Sequence, residues 1–542
     1  MSLSKKSLWL MLLTFVLTVV LAACNGDDEA TDTESTDTDT STIEETETET
    51  ETSTGGGDLI IAELSDAKSL DPHGSNDVQS SNVQSNIYET LIVRDKNGEL
   101  APSLAESWTQ VDDLTWEFKL RTGVNFHDGE VFNAEAVKKN FDRILDPEVA
   151  SPRAFLYEMV SEVKVIDETT VQFIMEYPFS PLLAHLTHNG GGIISPKAID
   201  GDYAAITDDV KAGSVISTNP VGTGPFVFDS WTPDSELKLV KNENYWGTPA
   251  NIDSVTFKVV PESATRVAEI QSGNAHIIGT VEPAQVANVN ASGVATVDEA
   301  LSSSLTYIGF NTQKEPFNNP LVRQAISKAI DRQTLVDSIY EGYGIPAIGP
   351  LSADIFGYTD DLNYVEYNIE EAKALLAEAG YADGFSTTIW TNDNPARVNV
   401  ATVLQQSLKE LGIVVEIGVM EFGTYLDKTA AGEHDMFILG WSNATGDADY
   451  GLYALFHSSQ HGEPGNRSFY TNAKVDELLE AGRREADLTA REGIYKEAMQ
   501  LLTDDAPMAF VLHPSILTGV AKNVSGFYVT SDSMYHLKDV KI

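Results

Sequence analysis

The sequence predicts an α/β protein divided into two or three lobes, and three observations carry that expectation. At 542 residues the chain exceeds what one hydrophobic core organises. The stretch from Leu100 to Leu145 sets out a strand opened by Trp108, a polar turn at Asp112-Asp113, and an alternating strand over Thr115–Leu120. A loop punctuated by Gly123, Asp128 and Gly129 follows, then a helix with Asn133 at its N-cap and Val137, Phe141 and Ile144 at helical spacing. From there to the C-terminus, short apolar or alternating strands keep interleaving with helical patterns.

The apolar share of 42% and aromatic share of 9% are enough to build large cores. The formal net charge of −47 repels phosphates, so nucleic acid is not an expected partner. The acidity fits either a surface adapted to high salt or high pH, or simply a solvated face. Residues 1–24 read as an export signal: Lys5 and Lys6 precede the apolar run Leu8–Leu21, which is short for a membrane span and ends in small residues. Leu21-Ala22-Ala23-Cys24 resembles the bacterial lipobox, and the chain's one cysteine stands where that motif needs it. Cys24 is therefore the expected lipidation site, anchoring the chain to the outer face of the cytoplasmic membrane; an ordinary signal peptide with an incidental cysteine is the alternative. With one cysteine there is no intramolecular disulfide. Residues 25–57 alternate Thr and Ser with Asp and Glu and end in three glycines, which reads as a disordered, self-repelling acidic tether.

The folded part is expected to begin at the buried strand Leu59–Ala62, followed by the loop Leu70-Asp71-Pro72-His73 and a helix over Val83–Leu91. Strands are expected at Val163–Val165, Val171–Ile174, Leu237–Val240 and Val255–Val260. In Asn219–Phe226, two glycines and two prolines specify a rigid backbone path; no third glycine or Gly-Lys-Ser follows, so a phosphate loop is a weak reading. The helix Ser263–Ser272 ends at a C′ glycine, Gly273. Asn319-Pro320 opens a helix with Val322, Ala325, Ile326, Ala329 and Ile330 on one face. Further helices are expected over Asn368–Leu376, Val398–Leu411, Val475–Ala486 and Ala490–Leu502, with strands Met436–Trp441 and Met508–Leu512.

The wording of several stretches resembles the peptide-type (family 5) solute-binding proteins of ABC importers. T-W-E-F-K-L-R-T-G-V-N-F-H-D-G matches that family's signature almost without a break, and N-P-V-G-T-G-P-F and R-Q-A-I-S-K-A-I-D-R match two further landmarks. The resemblance implies a periplasmic-binding-protein-like fold of class C type, with two α/β lobes closing on a hinged cleft and an extra inserted domain. The implied boundaries are lobe I at 58–90, 219–310 and 513–542, the extra domain II at 91–218, and lobe III at 311–512. The implied function is capture of extracellular peptides or glutathione for delivery to a membrane permease, by a monomer without cofactor or enzymatic activity. A receptor for a nickel or other metal chelate or an oligosaccharide is the alternative on the same fold, and a secreted hydrolase is the alternative from another class; no G-x-S-x-G or cysteine nucleophile is visible.

The loop after Asp71-Pro72-His73 makes Asn76, Asp77 and Gln79 candidate cleft residues. Arg397, between Trp390 and a helix, suits either a carboxylate ligand or a surface ion pair. The loop delivered by Trp441 brings Asn443, Thr445 and Asp447, and a later one brings Asn466 and Arg467. In dipeptide- and oligopeptide-binding members an aspartate three residues after this tryptophan receives the α-amino group, whereas this chain has Ala444. The T-G-D-A-D-Y-G-L wording is closer to glutathione-binding members. On that reading Arg397 and Arg467 take carboxylates and Asp447 or Asp77 takes the amine. His127 is expected to be a satisfied loop histidine. His457 and His461 lack the adjacent glutamate of a zinc helix, and no metal is expected; Asp447 and Asp449 read as loop caps rather than a catalytic pair.

Overall fold

The computed structural model describes residues 56–542 apart from Pro464. The leader expected over 1–24 with Cys24, and the tether expected over 25–57 up to residue 55, lie outside the described residues. The fold is periplasmic-binding-protein-like, α/β with mixed sheets and helices. A seven-stranded sheet runs, in spatial order, Ala295–Ala300, Ile516–Ala521, Ile277–Ile278, Asp58–Glu63, Ser254–Val259, Glu236–Lys241, Phe226–Thr232. Asp58–Glu63 is parallel to both its neighbours, so it is covered on both faces, and Leu59 and Ile61 are fully buried. Its strands come from the start, middle and end of the chain, so the chain leaves this lobe and returns to it twice. A six-stranded sheet runs Gly344–Pro346, Met508–Pro514, Ser304–Phe310, Met436–Ser442, Ser386–Asn392, Val414–Met420. The third sheet is antiparallel and four-stranded: Ala105–Asp112, Thr115–Leu120, Thr170–Met175, Val160–Asp167.

Local rules account for most element ends. Asn133 accepts the N–H of Ala136 at the head of Ala134–Ile144, and that helix lays Val137, Phe141 and Ile144 on the four-stranded sheet, Phe141 edge-on to Phe173 at 4.7 Å. Gly273 ends Ser263–Ser272 with φ +77°, where a side chain is disfavoured. Two starts differ from expectation. The first helix spans Val78–Ile87 rather than Val83–Leu91, because the Asp77 carboxylate caps it by accepting from Ser80 N–H. The helix expected from Val398 begins at Pro395 under the cap Asn394, which places Arg397 inside its first turn.

Charged side chains taken out of water fasten the lobes. Arg143, 1% exposed, donates from both terminal nitrogens to Asp71 (2.7 and 3.1 Å) and reaches Asp202 at 3.4 Å. The Asp71-Pro72-His73 loop is thus a joint between the four-stranded lobe and the seven-stranded one. A second joint ties the four-stranded lobe to the helices beside the six-stranded sheet. Arg483, on the helix Ala473–Arg484, donates to Asp449 (2.9 Å), to Glu158 (2.6 Å) and to the Phe155 carbonyl (3.0 Å). His185 Nε2 lies 3.1 Å from the other Asp449 oxygen, and Phe155 stacks on Tyr450 at 5.9 Å. Burial alone would raise the Asp449 carboxyl, but the Arg483 charge and His185 outweigh it and hold it well below the usual carboxylate range. An apolar cluster runs unbroken across this joint, from Phe118 and Phe141 to Leu452 and Leu502.

Arg483→Met leaves Asp449 buried without its main counter-charge, and is expected to cost about 3–5 kcal/mol in urea unfolding. Arg484→Ala, on the exposed neighbour that stacks over Tyr177 at 4.5 Å, is expected to cost about 1 kcal/mol or less. Equal small effects contradict the assignment of the joint. A second expectation concerns Glu63, at the end of its strand. Burial pushes its carboxyl from 4.5 up to about 7, against a hydrogen bond from Tyr535 and the nearby Arg266. As pH rises from 4.5 to 7 the unfolded chain gives up a proton that the folded chain keeps, so this group's favourable contribution is full below 4.5 and lost above 7. Glu63→Gln removes that slope: its melting temperature relative to wild type rises across the window, and a constant difference refutes the shift.

Candidate functional site

A cavity of about 350 Å³ lies between the seven-stranded and six-stranded lobes, within the size range of small-molecule sites. Of the ten ligand-binding positions named from the sequence, five line it: Asn76, Asp77, Arg397, Trp441 and Arg467. Gln79 lines it as well. Arg397 enters from the first turn of the helix Pro395–Lys409, and its Nη1 donates to Asn392 Oδ1 at 2.9 Å. No carboxylate lies within ion-pair reach of Arg397 among the described residues, so the surface ion pair is not what it makes. Its space depends on the strand beneath: a Cβ at Gly440 would stand 2.8 Å from Arg397 Nη2. Arg467 is buried, donating to Thr429 Oγ1 and the Gly462 carbonyl. Asn76 takes hydrogen bonds from Arg153 and from Tyr450 Oη, and Tyr450 in turn packs on Trp441 at 5.0 Å and meets His188 Nε2 at 3.0 Å.

The other five positions stand outside the cavity lining, each for a visible reason. Asp447 is spent on Arg491, which meets both its oxygens at 2.7 Å, and on capping the helix Ala448–Phe456. Asn443 donates to the Asp447 carbonyl and accepts from Gly446 N–H, holding the turn. Thr445 is buried, its carbonyl taken by Arg94. Asn466 braces its own loop against the carbonyls of His457 and Tyr470. Trp390 lies against Gly418 on the next strand, with Lys428 over its ring at 5.9 Å. Other residues follow the sequence reading more closely. His127 sits 3.0 Å from the Gly224 carbonyl. Among the described residues no group of three or more His, Cys, Asp or Glu is placed to hold a metal; His461 is 2.9 Å from the Tyr470 carbonyl.

Three residues that sequence reasoning missed, Glu63, Arg153 and Tyr307, join Asp77 and Trp441 in giving the cavity its character. Glu63 Oε1, Asp77 Oδ2, Arg153 Nε, Tyr307 Oη and Trp441 Nε1 are buried atoms without a hydrogen-bond partner, and all five residues line this one space. Each such atom costs about 1–3 kcal/mol while unpaired. Burial raises the Asp77 carboxyl, against hydrogen bonds from Ser80 and the charges of Arg153 and Lys68; burial also pushes the Tyr307 hydroxyl up to about 12. Tyr307 and Glu63 sit in strands, where the sequence pattern does not tell a cavity-facing side chain from any other. Arg153 follows a proline in a loop with no motif to mark it. This arrangement suits a polar, charged solute held by many fixed donors and acceptors.

Comparison with known proteins agrees with the geometry. Residues 99–463 match the model of the bacterial extracellular solute-binding proteins, family 5 (middle). The glutathione-binding protein GsiB of Shigella dysenteriae is 34% identical over 496 residues, covering 90% of this chain and 94% of that one. Among solved structures, the periplasmic binding protein DppA of Helicobacter pylori, in complex with the peptide STSA, superposes with a TM-score of 0.83 at 31% identity, covering 90% of this chain and 98% of that one. The oligopeptide-binding protein AppA of Bacillus subtilis, in complex with a nonapeptide, gives 0.83 at 27% identity over 90% and 99%. With its signature stretches, its lobed fold and its polar inter-lobe cavity, the chain belongs to the family 5 bacterial extracellular solute-binding proteins.

Proposed function

We propose that the chain captures glutathione or short peptides outside the cytoplasm as the substrate-binding component of an ABC importer, and hands them unaltered to a membrane permease. The observation that carries this is the set of unpaired buried polar atoms converging on one cavity beside Arg397. Peptide-like solutes supply carboxylates, amides and an amine in one small molecule, which such a lining can satisfy. Arg397 and Arg467 are the carboxylate receptors on this reading. The helix N-terminus at Pro395 adds its dipole to Arg397. GsiB and the two peptide-bound structures support the ligand class. Water exclusion strengthens each of these contacts, so the solute favours the closed arrangement by its differential affinity for it. A lipid on Cys24, with the acidic segment behind it, would keep the protein at the membrane within reach of its permease.

Isothermal titration with glutathione and a panel of di- and tripeptides is expected to find at least one tight ligand, recovered chemically unchanged by mass spectrometry. Arg397→Ala is expected to weaken that ligand by about 10- to 100-fold, the loss of a charge-assisted hydrogen bond. No binding of any of these solutes by the wild type, or full affinity in Arg397→Ala, contradicts the proposal.

A further inference from the structure

The cavity's acids are confined to one wall, where Lys258 and Arg266 also stand and Arg153 lies near Asp77. Five acids line it: Glu63, Asp66, Asp77, Glu282 and Asp532. All five come from chain segments that belong to or flank the seven-stranded lobe. The lining contributed between Ser304 and Thr518 has two arginines, Arg397 and Arg467, and no acid; position 444 there is alanine. An ammonium group entering this space therefore finds a carboxylate on one side only.

The five acids are not equivalent. Asp66 accepts from Ala67 N–H, from Asp234 N–H and from Trp231 Nε1, so both its oxygens are in use. Asp532 is engaged by Thr530 and by backbone N–H groups of its own turn, with Arg94 nearby. Glu63 shares its carboxyl with Tyr535 and faces Arg266, and burial favours its neutral form at pH values below about 7. Glu282 precedes a short helix and is only half-buried. Asp77 is 8% exposed; one oxygen caps the helix Val78–Ile87 and the other, Oδ2, has no partner. The neighbouring cations leave it available: Arg153 is hydrogen-bonded to Asn76 and meets His188 Nε2 at 3.0 Å, and Lys68 is paired with Asp427 at 2.8 Å.

Building on the function proposed above, we infer that Asp77 receives the ammonium group of the solute, so that the cavity takes its ligand in one orientation: amino end on the seven-stranded lobe, carboxylate end on Arg397 and Arg467. An –NH₃⁺ group supplies the donor that Asp77 Oδ2 lacks and the charge that its buried position disfavours leaving alone. The polarity makes Asp77 a specificity residue. It selects a free amine over a blocked one, and it does so from the wall opposite Arg397 and Arg467.

Titration of the wild type and Asp77→Asn with glutathione and N-acetylglutathione, and with the best-bound peptide and its N-acetyl form, tests this. Asparagine keeps the helix cap, and a thermal melt confirms the fold. The expected result is a loss of about 10- to 100-fold on acetylation in the wild type, a similar loss for the free-amine ligand in Asp77→Asn, and no further discrimination in the variant. Wild-type indifference to acetylation overturns the orientation without recourse to any variant, as does a variant that retains wild-type affinity for the free amine or loses both forms equally. If the wild type binds none of the four, the parent function falls and this assignment with it. Binding with the wrong discrimination sinks the assignment alone.

Discussion

A charge removed from water must be answered by an opposite charge or by fixed hydrogen bonds, as the carbonyls of Val260, Pro261 and Thr280 answer Arg266, and this constraint organises the molecule. Arg143, Arg483 and Arg491 are each 2% exposed or less, and each is met by a buried carboxylate: Asp71, Asp449 and Asp447. Such pairs add little net stability over a well-packed apolar substitute, because desolvation takes back most of the Coulomb gain. Their effect is on geometry. They fix which loop meets which helix, and losing one partner is far costlier than never having had the pair. Five buried polar atoms without a hydrogen-bond partner, on five different residues, converge on the one cavity.

That contrast links fold to function. Arg143, Arg483 and Arg491 use carboxylates of the chain itself; Arg397 has an asparagine side chain and room over Gly440 instead. The wall around Trp441 and Tyr450 is braced by separate stretches of the chain, since Tyr450 stands on the helix Ala448–Phe456 and meets both Asn76 and His188. A solute seated among these groups completes hydrogen bonds that the chain alone leaves open. The buried Arg483 joint lies beside the same helix, Ala448–Phe456, so the cavity wall and the seam between lobes share one rigid element.

What the sequence made legible was local. Thr115–Leu120 alternates as a half-buried strand and is one; Asn133, Asn319 and Gly273 mark helix ends by rules that need only neighbouring residues. Arg397 drew attention as an arginine between a strand and a helix, although the cap Asn394 and Pro395 that set the helix start were read as a turn. What failed was non-local pairing. Asp447 looked like a loop carboxylate facing a ligand, but its partner Arg491 stands 44 residues on, and nothing between them announces the contact. Asn443 and Asn466 have the chemistry of ligand contacts and serve as braces for their own loops, a use that composition does not distinguish. Glu63 and Asp532 were invisible because their segments read as strand end and turn, and only the return of the chain to the seven-stranded lobe brings them to the same space as Arg397.

A crystal structure of the protein with its tightest-binding solute measures the central claim most directly. The account predicts the solute enclosed between the two large lobes, a carboxylate on Arg397, and Trp441 Nε1 and Tyr307 Oη each with a partner at hydrogen-bond distance. A solute bound elsewhere on the surface, or a cavity collapsed by its own side chains with those atoms satisfied internally, contradicts it.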